Sequence, residues 1–153
     1  MRPLLLCALL LTGCATPQQS DSTLAVAERK QQALLQRNKE KEKDNQTVRL
    51  AVRRVYLKDH PELSSNIRKA ILEERIQTGM SAWQVIAAYS LWEYADHPSA
   101  AKYRGIGAMP LWTLTDRRLT TAGQTQQEEW TLQRQKDRQS LYFENGILTK
   151  RKD

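Results

Sequence analysis

The chain has 153 residues, which is enough for one domain with additional segments. It carries 24 Lys and Arg against 17 Asp and Glu, a formal net charge of +7 at pH 7, and 40% of its residues are hydrophobic. With two cysteines and six glycines, the composition excludes a disulfide-stabilised scaffold and a collagen-like repeat. The uneven distribution of apolar residues argues against full disorder.

The N-terminal segment has the pattern of a secretory signal. Met1 and Arg2 give a positively charged start, and an apolar run of eight residues follows from Leu4 to Leu11. This run is too short to span a membrane, because a spanning helix takes about 20 apolar residues. A charged start, a short apolar run and small residues are together typical of a signal peptide.

The end of this run, Leu11-Thr12-Gly13-Cys14, resembles the lipobox of bacterial lipoproteins. The resemblance implies that residues 1–13 are removed and that Cys14 carries a diacylglycerol group. Each buried CH₂ of an acyl chain contributes about 0.8 kcal/mol, so two or three chains hold a protein on the membrane permanently. Ala15, rather than Asp, follows the cysteine, which favours the outer membrane with the domain facing the periplasm. Ordinary signal cleavage after Ala15 is the alternative.

The distribution of aromatic residues indicates where the folded domain lies. All ten fall between Tyr56 and Phe143. We therefore predict a flexible linker over residues 14–22, a polar helical stalk over 23–58 and a small interaction domain over 60–153.

The stalk segment contains no Gly or Pro and is rich in residues that favour helix. A heptad frame that starts at Leu24 places apolar residues near both ends and polar residues in the middle, which does not predict a continuous coiled coil. The sequence leaves two roles open for this helix, a solvated spacer or a partner-binding element.

Two short helices are predicted after Pro61, which ends the stalk because the residue before a proline avoids the helical region. The first is an amphipathic helix over residues 62–77, and Gly79 is expected to end it in a left-handed conformation. The Ser-x-x-Gln sequence from Ser81 matches a capping box, which predicts a second helix over residues 82–92.

The C-terminal half alternates apolar and polar residues in short segments, which predicts antiparallel strands. Four segments fit this pattern: 110–115, 130–134, 140–143 and 147–149. Asn145-Gly146 is a strong hairpin signal because both residues tolerate positive φ, and residues 120–127 are predicted as a loop. Five side chains are expected to face the helices: Trp130, Leu132, Leu141, Phe143 and Ile147. The predicted fold is α+β, with two short helices packed on a three- or four-stranded antiparallel sheet and a long polar helix before them.

Two motifs of this region are similar to small outer-membrane lipoproteins of the SmpA/OmlA type, the family of the small lipoprotein of the barrel-assembly machine. One is the helix start from Gly79 to Val85, and the other is the Phe-x-x-Gly-x-Leu run from Phe143 to Leu148. The resemblance covers residues 60–150 and implies two helices on a three-stranded sheet. The chain departs after the second helix, where the family has Gly-x-Pro. The resemblance therefore implies neither membership of the assembly machine nor any contact residue.

The sequence provides little for catalysis or for a cofactor. Cys7 leaves with the signal peptide and Cys14 is lipidated, so no thiol remains for a disulfide or a nucleophile. His60 and His97 each precede a proline and are interpreted as capping or loop residues. Adjacent carboxylates such as Glu73-Glu74 do not face each other on a helix. We predict no catalytic residue, no cofactor and no metal ligand.

The basic charge is interspersed with acidic residues and does not favour nucleic acid as a partner. It is compatible with attraction to an anionic envelope polymer or lipid surface, where each Lys or Arg contributes about 1 kcal/mol. Four tryptophans lie in the domain, and they either form the core or, in the case of Trp92 and Trp112, serve as exposed anchors for a partner.

Together these features predict an outer-membrane-anchored lipoprotein that acts as a non-enzymatic scaffold or stabilising module in a cell-envelope protein complex. A periplasmic inhibitor or exclusion-type lipoprotein, which blocks a site on another protein, is the alternative.

Overall fold

A computed structural model describes residues 20–106 and 108–153, with side chains from residue 25 onward. The predicted signal peptide, Cys14 and most of the predicted linker lie outside these residues. The chain divides into two compact units, and the second extends from Lys41 to Asp153.

The described residues form an α+β fold with one four-stranded antiparallel sheet, and the longest helix is at the N-terminus. This confirms the predicted fold class. The helices are α1 (Ser20–Asp59), α2 (Ser65–Leu72), α3 (Ala82–Tyr89) and a single turn, α4 (Ala101–Arg104). Two 3₁₀ turns lie at Trp92–Tyr94 and Pro98–Ala100. The strands are β1 (Thr113–Ala122), β2 (Thr125–Arg134), β3 (Asp137–Glu144) and β4 (Ile147–Lys152), in the order β1-β2-β3-β4. No helix within the described residues is both long and apolar enough to cross a bilayer.

Helix α2 ends at Leu72, earlier than the predicted range 62–77. Glu74 adopts the left-handed conformation, with φ of 56°. The backbone N–H groups of Glu74 and Arg75 donate to carbonyls of the last turn at 3.2 and 2.9 Å, which is the hydrogen-bond pattern of a Schellman motif. Gly79 is also left-handed, with φ of 91°, but it lies in the link to α3.

The start of α3 is as predicted. The Ser81 side chain accepts from the backbone N–H of Gln84 at 3.3 Å, and the Gln84 side chain accepts from the N–H of Ser81 at 2.9 Å. This reciprocal pair is a capping box. The helix ends at Tyr89 rather than near Trp92, because Ser90 turns left-handed with φ of 58°.

The hairpin between β3 and β4 turns at Asn145 and Gly146, whose φ angles are 50° and 76°. Positive φ at both central residues confirms the predicted turn. The predicted loop over residues 120–127 is wrong, because β1 and β2 extend to a tight turn at Gly123. These strand ends are largely exposed on both faces, so they lack the alternation that identifies a half-buried strand.

One face of the sheet contributes to a single hydrophobic core that also includes residues of α1, α2 and α3. Trp130 and Phe143 meet there with ring centroids 4.5 Å apart. Four of the five predicted core-facing side chains are buried, but Ile147 is 43% exposed and Leu148 takes its place. The two-residue turn pairs Glu144 with Ile147 and Phe143 with Leu148, and the register shifts only beyond this point, where Tyr142 pairs with Lys150.

The C-terminal part of α1 also enters this core. Val52, Tyr56 and Leu57 are at most 3% exposed, and their spacing places them on one helical face. The prediction that residues before His60 stay outside the core is therefore wrong, because this face packs into the compact unit that begins at Lys41.

A buried ion cluster lies on the same face of α1. Arg49 and Arg53 are 3% and 2% exposed. The Glu74 carboxylate accepts from Arg49 Nε at 3.1 Å and from Arg53 Nη1 at 2.5 Å, and Glu42 accepts from Arg49 Nη2 at 2.9 Å. Burial raises the pKa of Glu74, but hydrogen bonds and charge from the two arginines outweigh it and hold that pKa below its usual value. The cluster fastens α1 to the left-handed residue at the end of α2.

Candidate functional site

Trp92 is only 2% exposed, so the expectation that it is an exposed anchor is wrong. Its ring stacks on Tyr103 with centroids 4.3 Å apart and lies 5.6 Å from the ring of Tyr56. Tyr56 belongs to α1, which sequence analysis placed outside the domain. Trp92 is therefore covered by a helix whose packing could not be inferred from the local pattern.

Trp112 is half-buried and stacks on Tyr89, with centroids 5.8 Å apart and ring planes 25° from parallel. The backbone N–H of Leu111 donates to the carbonyl of Tyr89 at 3.2 Å, which fixes the chain just before Trp112. The part of the indole that remains accessible keeps Trp112 as a candidate contact residue.

A group of apolar side chains precedes Trp112 at the surface. Met109 is 61% exposed and Ile106 is 39% exposed. Met109 lines a cavity of about 480 Å³ together with Ala108 and Pro110. We call Ile106, Ala108, Met109, Pro110 and Trp112 the loop surface. Glu93 and Arg104 also line this cavity, so that apolar side chains are bordered by charges of both signs.

A second candidate lies around Trp83, at the start of α3. The half-buried indole lines a cavity of about 380 Å³, which we call the Trp83 cleft. Its lining consists of Asp59, His60, Trp83, His97, Ser99 and Tyr103. Sequence analysis did not single out Trp83. The available signal was its place in the first turn of α3, before the continuously buried stretch that begins at Val85.

The aromatic rings of the cleft are held in contact with the core. Trp83 lies 6.2 Å from the ring of Trp92 and meets His97 edge to face, with centroids 5.6 Å apart and planes at 87°. Asp59 accepts from Lys102 Nζ at 2.6 Å and from the Tyr103 hydroxyl at 2.8 Å. These bonds, that of Lys102 first, lower the pKa of Asp59. Burial, and then the bond to Asp59, raises the pKa of Tyr103.

Both histidines of the cleft are held by local hydrogen bonds. His97 Nδ1 accepts from the backbone N–H of Ser99 at 3.2 Å and caps the following 3₁₀ turn. His60 Nδ1 lies 3.0 Å from Glu62 Oε1. The predicted capping role therefore holds for His97. The two imidazoles differ in the partner of Nδ1, an N–H group for His97 and a carboxylate for His60.

A smaller cavity of about 200 Å³ shares Trp83 and His97 with the cleft. We call it the Asp96 cavity. Its other lining residues are Ala82, Ile86, Tyr94, Ala95, Asp96, Arg117 and Trp130. Arg117 donates to Asp96 at 2.8 Å and also contacts Glu128. Asp96 is 86% exposed, so its carboxylate is accessible beside the apolar lining.

The outer face of the sheet carries a fourth concavity, of about 520 Å³. Arg118, Glu129, Tyr142, Glu144 and Lys150 contribute to its lining. Lys150 Nζ lies 5.9 Å from the ring centroid of Tyr142. This region mixes charges of both signs around one aromatic ring, and its polar character distinguishes it from the loop surface.

No group of three or more His, Cys, Asp or Glu side chains in the described part of the chain is placed to hold a metal ion. Comparison with protein-family models, with curated proteins and with solved structures finds no match for this chain. The chemistry of the two candidate surfaces therefore carries the functional argument.

Proposed function

We propose that this chain is an outer-membrane lipoprotein, anchored through Cys14, whose domain acts as a non-enzymatic scaffold or stabilising module in a cell-envelope protein complex. The observation that carries the proposal is the loop surface. Exposed apolar groups bordered by charges resemble the centre and rim of a protein–protein interface. The occupant that fits best is a folded protein subunit.

The anchor is supported by the sequence of the N-terminus. A short apolar run that ends in Leu-Thr-Gly-Cys matches the lipobox, and Ala15 after Cys14 favours the outer membrane. Residues 25–40 of α1, which come before the compact unit in the chain, are all exposed. A lipid-tethered domain on such a segment is suited to contact membrane-bound partners.

The resemblance to the SmpA/OmlA type supports the same proposal and adds a specific arrangement of helices and strands. In that family a pair of short helices lies on an antiparallel sheet, and we assign α2 and α3 to this pair. The capping box at Ser81 and the Asn145-Gly146 turn are the features of this chain that the comparison rests on. The one-turn α4, the 3₁₀ turns and the fourth strand are additions under this assignment.

The anchor is tested by the intact mass of the chain purified from the membranes of its native host. We expect the mass of residues 14–153 with added acyl chains, and Cys14→Ser is expected to appear in the soluble fraction. A bare chain mass would contradict the lipid anchor.

The partner surface is tested by placing a photo-crosslinking amino acid at Met109 in the full chain, expressed in the native host. Leu119 is the matched control, because it is 60% exposed against 61% for Met109 and lies on β1 outside the loop surface. We expect a defined envelope protein to crosslink at position 109 and not at position 119.

The identity of the crosslinked protein separates the two functions. Subunits of an outer-membrane complex that dissociates more readily with Met109→Asp support a scaffold. An enzyme whose activity falls when it binds this chain supports the inhibitor instead. Equal adducts at positions 109 and 119, or none at 109 in an anchored chain, would contradict the loop surface as a binding site.

A further inference from the structure

We propose that the Trp83 cleft binds an N-acetylated amino sugar within a glycan chain. The first support is the kind of surface that it offers. The half-buried Trp83 indole and the ring of Tyr103 line a cavity of about 380 Å³, with polar side chains around them. Binding sites combine such apolar contact area with a few polar groups that fix orientation. The C–H face of a pyranose ring packs against the electron-rich face of an aromatic ring, and its hydroxyls point outward to polar neighbours.

The second support comes from the hydrogen-bonding roles of the two histidines. His97 Nδ1 accepts the N–H of Ser99, so the neutral ring carries its proton on Nε2, which is then a donor. His60 Nδ1 lies beside the Glu62 carboxylate, which only accepts, so Nδ1 carries a proton, and in the neutral ring Nε2 is then an acceptor. With both rings neutral, the cleft contains one imidazole donor and one imidazole acceptor. A sugar hydroxyl both donates and accepts and therefore matches this pair. A cationic side chain only donates hydrogen bonds and would leave the imidazole donor without a partner.

The third support is the Asp96 cavity, which adjoins the cleft at Trp83 and His97. Its volume of about 200 Å³ is suited to a small substituent rather than to a second ring. Ala82, Ile86 and Ala95 provide an apolar lining for the methyl group of an acetamide. The Asp96 carboxylate is an acceptor for the acetamide N–H, and Arg117 is a donor for its carbonyl oxygen. This combination distinguishes an N-acetylated sugar from one that carries only hydroxyls.

The test is a calorimetric titration of the full chain, purified in a detergent without a sugar headgroup. The probe is the β-1,4-linked tetramer of N-acetylglucosamine. The matched ligand is the β-1,4-linked tetramer of glucose, in which a hydroxyl replaces each acetamido group. We expect saturable binding of the first tetramer and at least about tenfold weaker binding of the second, a difference of about 1.4 kcal/mol.

Three variants locate the site. Trp83→Ala is expected to weaken binding by about tenfold, the scale of a lost aromatic contact. Asp96→Ala changes an exposed side chain, so it tests the same site without threatening the fold, and a loss of about threefold is expected, as for an exposed hydrogen bond. Tyr142→Ala is the aromatic control on the outer face of the sheet and is expected to leave the affinity unchanged.

Three results would overturn the proposal. The first is the absence of saturable heat up to about 1 mM of the N-acetylglucosamine tetramer, the affinity limit that corresponds to about −4 kcal/mol. The second is equal affinity for the two tetramers. The third is a misplaced site. It would be shown if Asp96→Ala left the affinity unchanged, or if Tyr142→Ala lowered the affinity as much as Trp83→Ala. These outcomes do not depend on the crosslinking result at Met109, because none of the residues varied in the sugar-binding test belongs to the loop surface.

Discussion

Residues 25–40 and residues 41–59 belong to the same helix, α1, and differ in what their side chains contact. In the first stretch every side chain is exposed, including Val26, Leu34 and Leu35. In the second, Arg49, Val52, Arg53, Tyr56 and Leu57 are buried. Both stretches are composed of residues that favour helix, so propensity does not explain the difference.

The spacing of the apolar residues explains it. From position 49 onward the buried residues recur at intervals of three and four, which gives one continuous face and matches the helical period. The apolar residues of 25–40 form no such face of comparable length, and charged residues separate them. Helix formation and burial are therefore distinct properties of this chain, and only the second makes a helix part of a domain.

The largest effect is expected from removing the buried stretch. A chain of residues 60–153 should lose cooperative unfolding, whereas residues 41–153 should melt like the full chain. Val52, Tyr56 and Leu57 each contribute about 1.5–3 kcal/mol of burial, so their loss removes about 5 kcal/mol or more. Domains of this size are stable by only about 5–15 kcal/mol.

Thermal unfolding followed by circular dichroism measures this difference. Chains that begin at residues 20 and 41 serve as the control pair and should agree within about 0.5 kcal/mol. If the 60–153 chain melts at the same temperature as the 41–153 chain, the end of α1 contributes nothing to the domain.

The next effect concerns the ion cluster that fastens the buried stretch. Glu74→Ala leaves the guanidinium groups of Arg49 and Arg53 buried without their shared carboxylate, and breaking a buried pair in this way costs about 3–5 kcal/mol. The neighbouring Glu73→Ala is the matched control. Glu73 pairs with the exposed Arg75, so this change should stay within about 0.5 kcal/mol. Chemical denaturation measures the free energy of unfolding of both variants. Equal losses would mean that the buried ion cluster contributes no more to stability than the exposed Glu73–Arg75 pair.

A matched pair of valines compares the two stretches directly. Val52 is fully buried and Val26 is 49% exposed, and both lie on α1. Val52→Ala should cost about 2 kcal/mol, since two methyl groups leave the core and a cavity remains. Val26→Ala should stay within about 0.5 kcal/mol, because Val26 is exposed and lies outside the hydrophobic core. A loss at position 26 as large as that at position 52 would show that the exposed stretch is packed in solution.

The smallest effect is a dependence of stability on pH. The pKa of Glu74 is lowered in the folded chain, so its contribution is present above the pKa of the unfolded chain and is lost as the pH falls through the folded pKa. The free energy of unfolding should therefore fall less steeply in the acid range for Glu74→Gln than for the unmodified chain. Denaturation curves from neutral pH down to the acid range measure these slopes, and identical slopes would exclude a titrating role for Glu74. The effect is small because a protonated carboxyl still forms hydrogen bonds.

Local signals predicted the parts of the fold that depend on a few neighbouring residues. The capping box at Ser81 and the Asn145-Gly146 turn are present as expected, because each is defined by backbone hydrogen bonds or φ angles within a few positions. Ile147 failed as a core residue because the two-residue turn pairs it with the exposed Glu144, whereas Leu148 pairs with the buried Phe143. The end of α2 failed because it depends on a contact with a distant helix. The left-handed residue that ends α2 is Glu74, whose carboxylate accepts hydrogen bonds from Arg49 and Arg53 of α1. Gly79 tolerates positive φ better than its neighbours, but it lies in the link to α3 and does not end α2.

The candidate surfaces were harder to predict than the fold. Trp92 and Trp112 were both candidates for exposed anchors, yet Trp92 is covered by Tyr56 from a distant helix. No local pattern distinguished Trp83 from the other tryptophans, although its place in the first turn of α3 leaves the indole partly accessible. The exposure of an aromatic side chain depends on which other elements pack over it, and a local pattern does not carry that information.

The sequence by itself determined the fold class, the helix start at Ser81, the final hairpin and the expectation of a lipid anchor at Cys14. Only the tertiary structure decided that the last turns of α1 belong to the domain, and that Trp92 is buried while Trp83 lines a cleft. The physical reason is the range of the interactions. Caps, turns and strand alternation arise between residues close in sequence, whereas burial is set by contacts such as those of Arg49 and Arg53 with Glu74, which join positions more than twenty residues apart.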